Sequence, residues 1–175
     1  MKKHYKISLY KALDNDLYSI YSLMKHVYDD LEDKSLFVCD DIDFVKQQLT
    51  KTGFGVIAKA NDNIIGCLIV RFPGLEKDNL GYDIDINANE LPKVAHIEAV
   101  VVDKNFRGNG LQQKMIEYAE QSLGSNKYYH LMATVSPENH ASLKSFFNCN
   151  YTEILTKEKY GGLKRIILYK SVKGH

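Results

Sequence analysis

The sequence predicts one mixed α/β domain built around a single sheet, and three observations predict it. The chain has 175 residues, the size of one ordinary domain and enough to bury a real core. Its composition, 45% hydrophobic and 26% charged, is globular rather than disordered or fibrous. Apolar runs of strand character also interleave with segments of helical period in the order β-α-α-β-β-β-α-β-α-β-β. No repeat, low-complexity tract or linker divides them, so residues 1–175 read as one unit.

The elements follow in chain order. Lys6-Ile7-Ser8-Leu9-Tyr10 alternates and suits an edge strand. Asp14 is placed to cap a helix running to about Leu31, with Leu17, Ile20, Tyr21, Met24 and Val27 on its apolar side. A short helix after Asp41 carries Phe44, Val45 and Leu49. The strands 55–60 and 64–70 read as a hairpin, because Asn61-Asp62-Asn63 tolerates left-handed backbone. The segment Pro73–Lys93 is polar, irregular and long for a connection; loops of that length are often functional or mobile. Ala95–Val102 is the most apolar strand. A loop over 103–109 leads from it into a helix with Leu111, Met115, Ala119 and Leu123 at four-residue steps, ended by Gly124. A strand over 128–135, a helix over 137–148 and strands over 153–159 and 165–170 complete the chain.

Bulk properties exclude several function classes. The formal net charge is +1, from 23 basic and 22 acidic side chains, without the basic excess or stripe of a nucleic-acid binder. Cys39, Cys67 and Cys149 are an odd set without metal spacing or a disulfide framework, so reduced thiols and no bound metal are expected. No apolar signal run follows the basic residues 1–6, and no apolar stretch approaches the roughly 20 residues needed to span a bilayer. A soluble cytoplasmic protein without membrane contacts is the expectation.

The sharpest local signal is Arg107-Gly108-Asn109-Gly110-Leu111-Gln112, directly after a strand and opening a helix. Two glycines let the backbone approach a ligand closely, and a helix N-terminus presents N–H groups and a favourable dipole to negative charge. Arg107 adds a cation suited to phosphate oxygens. Such a device can hold a diphosphate, and a tight turn is the plainer reading. The chain lacks the Gly-Lys-[Ser/Thr] ending of a Walker loop, and Gln112 and Lys114 stand where a dinucleotide fingerprint would continue with glycine.

The run Val102–Leu111 resembles the pyrophosphate loop of the GNAT superfamily of N-acetyltransferases, written Arg/Gln-x-x-Gly-x-Gly/Ala. Arg107 and Gly110 fit the first two fixed positions, and Gln112 stands at the third, where Gly or Ala is usual. A second stretch, Ser136–Leu143 with Phe146 and closing on Asn150-Tyr151, resembles the later family motif of Pro-x-Asn, a small residue, an aromatic, then Gly and an aromatic. Asn150 replaces the usual Gly and tolerates the same left-handed backbone.

The resemblance implies a mostly antiparallel central sheet flanked by helices on both faces. It implies transfer of an acetyl group from acetyl-CoA, as co-substrate, to a primary amine of a small molecule or a protein, by direct attack on the thioester. It also implies that backbone groups of Val100, Val101 and Val102 hold the pantetheine arm and polarise the carbonyl. The loop from Arg107 through Gly108, Asn109, Gly110 and Leu111 to Gln112 would hold the pyrophosphate. Asn139 and Ser142 would hydrogen-bond the coenzyme, and Phe146 would face it. Asn139 reads equally well as the cap of its own helix.

Acetyl transfer needs a base, because an alkylamine with a pKa near about 10 is mostly protonated at pH 7. Glu98 is the candidate: a carboxylate within Ile97-Glu98-Ala99-Val100-Val101-Val102 is out of character for a buried strand unless used or paired. His96-Ile97-Glu98 also resembles the strand of glucosamine-phosphate N-acetyltransferases, where the Glu is associated with catalysis. The plainer reading has Glu98 facing solvent or paired with a lysine. His96 would share its face in an unbulged strand, as a structural histidine or a proton relay. Family members often have Tyr at the position of Phe146, placed to protonate the leaving thiolate. Phe cannot, which leaves the thiolate to depart unaided or with help from water or another Tyr. The carboxylates Glu76, Asp78, Asp83, Asp85 and Glu90 read as solvated by default, or as an acidic loop that greets a cationic amine. A catalytically silent acyl-CoA sensor, transfer of a longer acyl group and a homodimer through the C-terminal strands complete the alternatives.

Overall fold

The computed structural model describes residues 5–124 and 127–173. Seven strands form one sheet: β1 (Ile7–Lys11), β2 (Gly53–Ala60), β3 (Asn63–Arg71), β4 (Val94–Val102), β5 (His130–Val135), β6 (Thr152–Lys159) and β7 (Leu163–Ser171). Their order across the sheet is β1-β2-β3-β4-β5-β7-β6. Every neighbouring pair runs antiparallel except β4 and β5, which are parallel because a helix returns the chain between them. Charged residues along β6, among them Glu153, Lys157 and Glu158, blunt this exposed edge against further pairing.

Helices α1 (Leu17–Asp29) and α2 (Ile42–Thr50) cover one face, and α3 (Leu111–Leu123) and α4 (His140–Asn148) the other. The apolar periodicity accounts for this: Ile20, Met24 and Val45 are fully buried beneath α1 and α2, Met115 and Ile116 beneath α3. Truncating any of these to alanine is worth about 2–5 kcal/mol. Asp41 caps α2 by accepting the Phe44 N–H at 2.9 Å. Asp14 does not cap α1. It opens a 3-10 turn, Asp14–Asp16, in which Asp16 accepts the Leu13 N–H, and the helix begins at Leu17 and ends at Asp29. Asn61 takes the left-handed conformation in the β2–β3 turn, as does Asn150 after α4.

Two departures of β4 from a regular ladder shape the site. Ile69 lies opposite Ala99 but Val70 opposite Ile97, so Glu98 is the extra residue of a β-bulge. The bulge resets the side-chain alternation: Ala95, Ile97, Val100 and Val102 belong to the α3–α4 side, Ala99 and Val101 to the α1–α2 side. On the other edge β4 pairs with β5 only over Val94–His96 and His130–Met132. Beyond that point the two strands part.

The Pro73–Lys93 segment is a built wall rather than a loose loop. It forms 3-10 turns at Leu80–Ile84 and Leu91–Lys93 and buries Leu80 and Leu91. Three of its five acids are paired: Asp78 forms a bidentate pair with Arg71, Asp83 is held by Lys157 and Lys159, and Glu90 accepts from Tyr129 and meets His130 and Lys173. Asp78, Asp83 and Glu90 therefore depart from the default reading of solvated acids, and the alternative of an acidic loop for a cationic amine loses most of its free charge.

Candidate active site

Where β4 and β5 part, a cleft of about 610 Å³ opens between the helix pairs. Glu98, Val100, Val101 and Val102 line it from the strand, and Arg107, Gly108 and Gly110 from the loop. Leu111, Gln112, Asn139, Ser142 and Phe146 line it from the starts and flanks of α3 and α4. The residue that falls outside this set is Asn109. Its amide donates to the carbonyls of Phe106 (3.1 Å) and Arg107 (3.3 Å) and braces the loop from within.

The glycines act through conformation. Gly108 and Gly110 have φ of +78° and +68°, and a Cβ at either would meet nothing within 4 Å. Space is free there, and only the left-handed backbone excludes other residues. Among the described residues no side chain caps α3, so the first N–H groups of this helix open onto the cleft. An uncapped N-terminus beside two such glycines is a fit for an anionic group. Arg107 is oriented beside it by its Nε–H, which donates to the Val102 carbonyl at 3.0 Å.

The start of α4 is different. The Asn139 side chain accepts the Ser142 N–H at 3.2 Å, so the capping role of Asn139 is realised. Gln112 donates to Ser142 Oγ at 2.8 Å, which joins the two helix starts. The side chain at the position where the family pattern has Gly or Ala thus has a structural task. Phe146 is 2% exposed and packs edge-on to Tyr151 with centroids 5.0 Å apart, so it belongs mainly to the core.

Glu98 stands where the cleft meets a second, smaller pocket of about 140 Å³, lined also by Arg71, His96, Thr134, Lys159 and Tyr160. The bulge sets Glu98 at this junction, yet His96 remains in contact with it. His96 is 3% exposed, and its Nε2 accepts the Leu80 N–H at 3.1 Å, so in the neutral ring the proton sits on Nδ1. That Nδ1–H points to Glu98 Oε2 at 3.3 Å. Arg71 lies 3.8 Å from Glu98 Oε1 while bound to Asp78, whose carboxyl the Arg71 hydrogen bonds hold below its ordinary range. Glu98 is therefore partnered by an arginine and a histidine rather than by a lysine or solvent. Nearby, burial and then the Glu98 and Asp41 charges push the Asp40 carboxyl up to about 6.

Sequence reading did not find Arg71, Asp40, Thr134 or Tyr160. Arg71, at the end of an apolar strand, carried a signal of the same kind as Glu98: a charge where burial is expected. The cysteines are free, and burial pushes the Cys67 and Cys149 thiols up to about 12 and about 11, which leaves them inert at neutral pH. Among the described residues no group of three or more His, Cys, Asp or Glu side chains is placed to hold a metal ion, and no helix is long and apolar enough to cross a membrane.

A profile of the acetyltransferase (GNAT) family matches residues 15–151. The chain belongs to the GNAT family. Solved structures with the GNAT fold superpose over nearly its whole length. The protein yncA of Salmonella typhimurium, solved with its cofactor acetyl-CoA, has a TM-score of 0.72 at 14% identity, covering 97% of this chain and 96% of its own. The ribosomal-protein-S18-alanine N-acetyltransferase of Escherichia coli gives 0.72 at 12% identity, with the same coverage. The aminoglycoside acetyltransferase AAC(6')-Ib, solved with coenzyme A and kanamycin, gives 0.69 at 15% identity, covering 95% of each chain. No curated protein matches the sequence. At these identities the likeness to solved structures establishes the fold, a mostly antiparallel sheet with helices on both faces.

Proposed function

We propose that this chain transfers the acetyl group of acetyl-CoA to a primary amine of a small molecule or peptide. The observation that carries the reading is the uncapped start of α3, with Gly108 and Gly110, opening onto a cleft whose inner end is Glu98. Family membership and neighbours solved with acetyl-CoA or coenzyme A support it. In this reading the α3 N-terminus and Arg107 hold the pyrophosphate of the co-substrate. Backbone groups of β4, left unpaired beyond His96 where β5 departs, hold the pantetheine arm and the carbonyl oxygen. The amine enters through the smaller pocket, and Glu98, held in place by His96 and Arg71, takes its proton directly or through water.

The test is calorimetric titration with acetyl-CoA and with free coenzyme A, repeated on Gly110→Trp. Binding at roughly micromolar Kd, lost in the variant, is expected. Absence of binding to the wild type would sink the reading. Phe146, without a hydroxyl, favours a second reading, a coenzyme-binding protein that does not turn over. Thiol release in the presence of amines separates the two.

A further inference from the structure

Phe146 puts no hydroxyl where family members often have Tyr. Of the α4 hydroxyls that line the cleft, Ser145 Oγ is committed to the Ala141 carbonyl at 3.1 Å and Ser142 Oγ is engaged by Gln112. A further hydroxyl pair lies on the other side of the sheet. We propose that the Thr134 hydroxyl protonates the leaving thiolate, with Tyr160 behind it as the positioning residue that replaces the proton; this rests on the acetyl-transfer reading above. Thr134 is on β5, two residues past its last pairing with β4, and lines both the cleft and the smaller pocket. Its neighbours Ala133 and Val135 point into the α3–α4 core, so Thr134 faces the acceptor side. There its Oγ1 lies 3.0 Å from the Tyr160 hydroxyl.

Tyr160 is 50% exposed overall, and its hydroxyl is the part engaged, by Thr134. It sits in the β6–β7 turn with φ of +51°, followed by Gly161 and Gly162 at positive φ, a conformation unfavourable for tyrosine unless its surroundings enforce it. Its ring lies 5.8 Å from the guanidinium of Arg165, which is itself buried and donates to the Ser35 carbonyl. The charged groups around this hydroxyl pair are Glu98, Asp40, Arg71 with its partner Asp78, Lys159 and Arg165, with His96 behind Glu98. Burial raises the Tyr160 phenol above its ordinary value, and Glu98 and Asp40 act the same way, against the Thr134 hydrogen bond and Arg165. When Glu98 takes the proton of the amine its charge disappears, and Tyr160 becomes a stronger acid as the thiolate leaves.

The protons balance. As the C–S bond breaks, its electron pair stays on sulfur, which takes the Thr134 proton while Thr134 Oγ1 takes that of Tyr160. Solvent water returns a proton to Tyr160, and the proton Glu98 took from the amine passes to solvent. Products are the amide and free coenzyme A.

The experiment measures thiol release from acetyl-CoA, with kanamycin and with a peptide beginning in alanine as amines, for wild type, Tyr160→Phe, Thr134→Val and Thr134→Ser. Tyr160→Phe and Thr134→Val are expected to lower kcat by about 10²-fold, in the range of general acid catalysis, with KM for acetyl-CoA within about threefold. Thr134→Ser, which keeps the hydroxyl, recovers most of the loss. The wild-type rate falls at high pH, and that fall is absent in Tyr160→Phe, which a purely structural tyrosine would not produce. An active wild type with unchanged kcat and pH profile in both hydroxyl-free variants overturns this proposal alone. A wild type that releases no thiol with either amine overturns it together with the transfer reading.

Discussion

The junctions β4–α3 and β5–α4 are built alike, strand, short loop and helix on the same face of the sheet, and both border the same cleft. They differ in how the helix start is satisfied. At α4 the Asn139 side chain closes the first turn. At α3 no described side chain does so, two glycines hold left-handed backbone in open space, and Arg107 is braced beside them. A helix needs its first N–H groups satisfied, by its own side chains, by water or by a ligand. The fold uses the first solution at α4 and leaves the last available at α3. Gln112 and Ser142 then tie the open start to the closed one, so the geometry of the open junction leans on the closed one.

Substitutions break or sharpen this comparison. The largest effect is expected where the cleft ends: Glu98→Gln should lower kcat by about 10²–10⁴-fold while coenzyme affinity stays within a few-fold. Steady-state rates with calorimetric binding check it, and equal loss of both would show that Glu98 is structural. At the open junction, Gly110→Trp should weaken acetyl-CoA binding at least about 10²-fold, since it fills the free space and adds about 1–2 kcal/mol of left-handed strain. The closed junction should respond in the opposite currency. Asn139→Ala should cost about 1 kcal/mol of stability in denaturant unfolding and only a few-fold in affinity. If it abolished binding with no loss of stability, the contrast between the two junctions would fail.

The smallest effect is expected away from both junctions. Asp40 has a folded-state carboxyl raised from 3.8 to about 6, so its contribution is fully present below about pH 4 and is lost as pH rises through about 6. Above that the ionised group costs the fold up to ~3 kcal/mol, which partial exposure reduces to about 1 kcal/mol. Asp40→Asn should therefore raise Tm by roughly 2–4 °C at pH 8 and leave it unchanged at pH 4. A thermal melt series across pH checks the sign.

The fold and the conformation of the glycine loop at the start of α3 were largely legible because their signals are local. Periodicity marked the helices, and left-handed turn residues such as Asn61 and Asn150 marked junctions. The Arg107–Gln112 loop carries its own conformational requirement within six residues. The acceptor side was not legible. Arg71, Glu98, Thr134 and Tyr160 come from four different strands or turns, and no spacing along the chain records that they meet. Asp78, Asp83 and Glu90 look solvated in sequence because their partners, Arg71, Lys157, Lys159 and His130, lie mostly on distant strands.

By itself the sequence determined the order of elements, the helix start open to an anion and the out-of-place carboxylate of Glu98. Those are properties of short segments, set by backbone preference and the burial of apolar side chains. The tertiary structure decided which charges are free, where β4 bulges and parts from β5, and which hydroxyls stand across the sheet from Phe146. Each of these depends on the register between strands, and a shift of one residue would turn every such side chain to the other face.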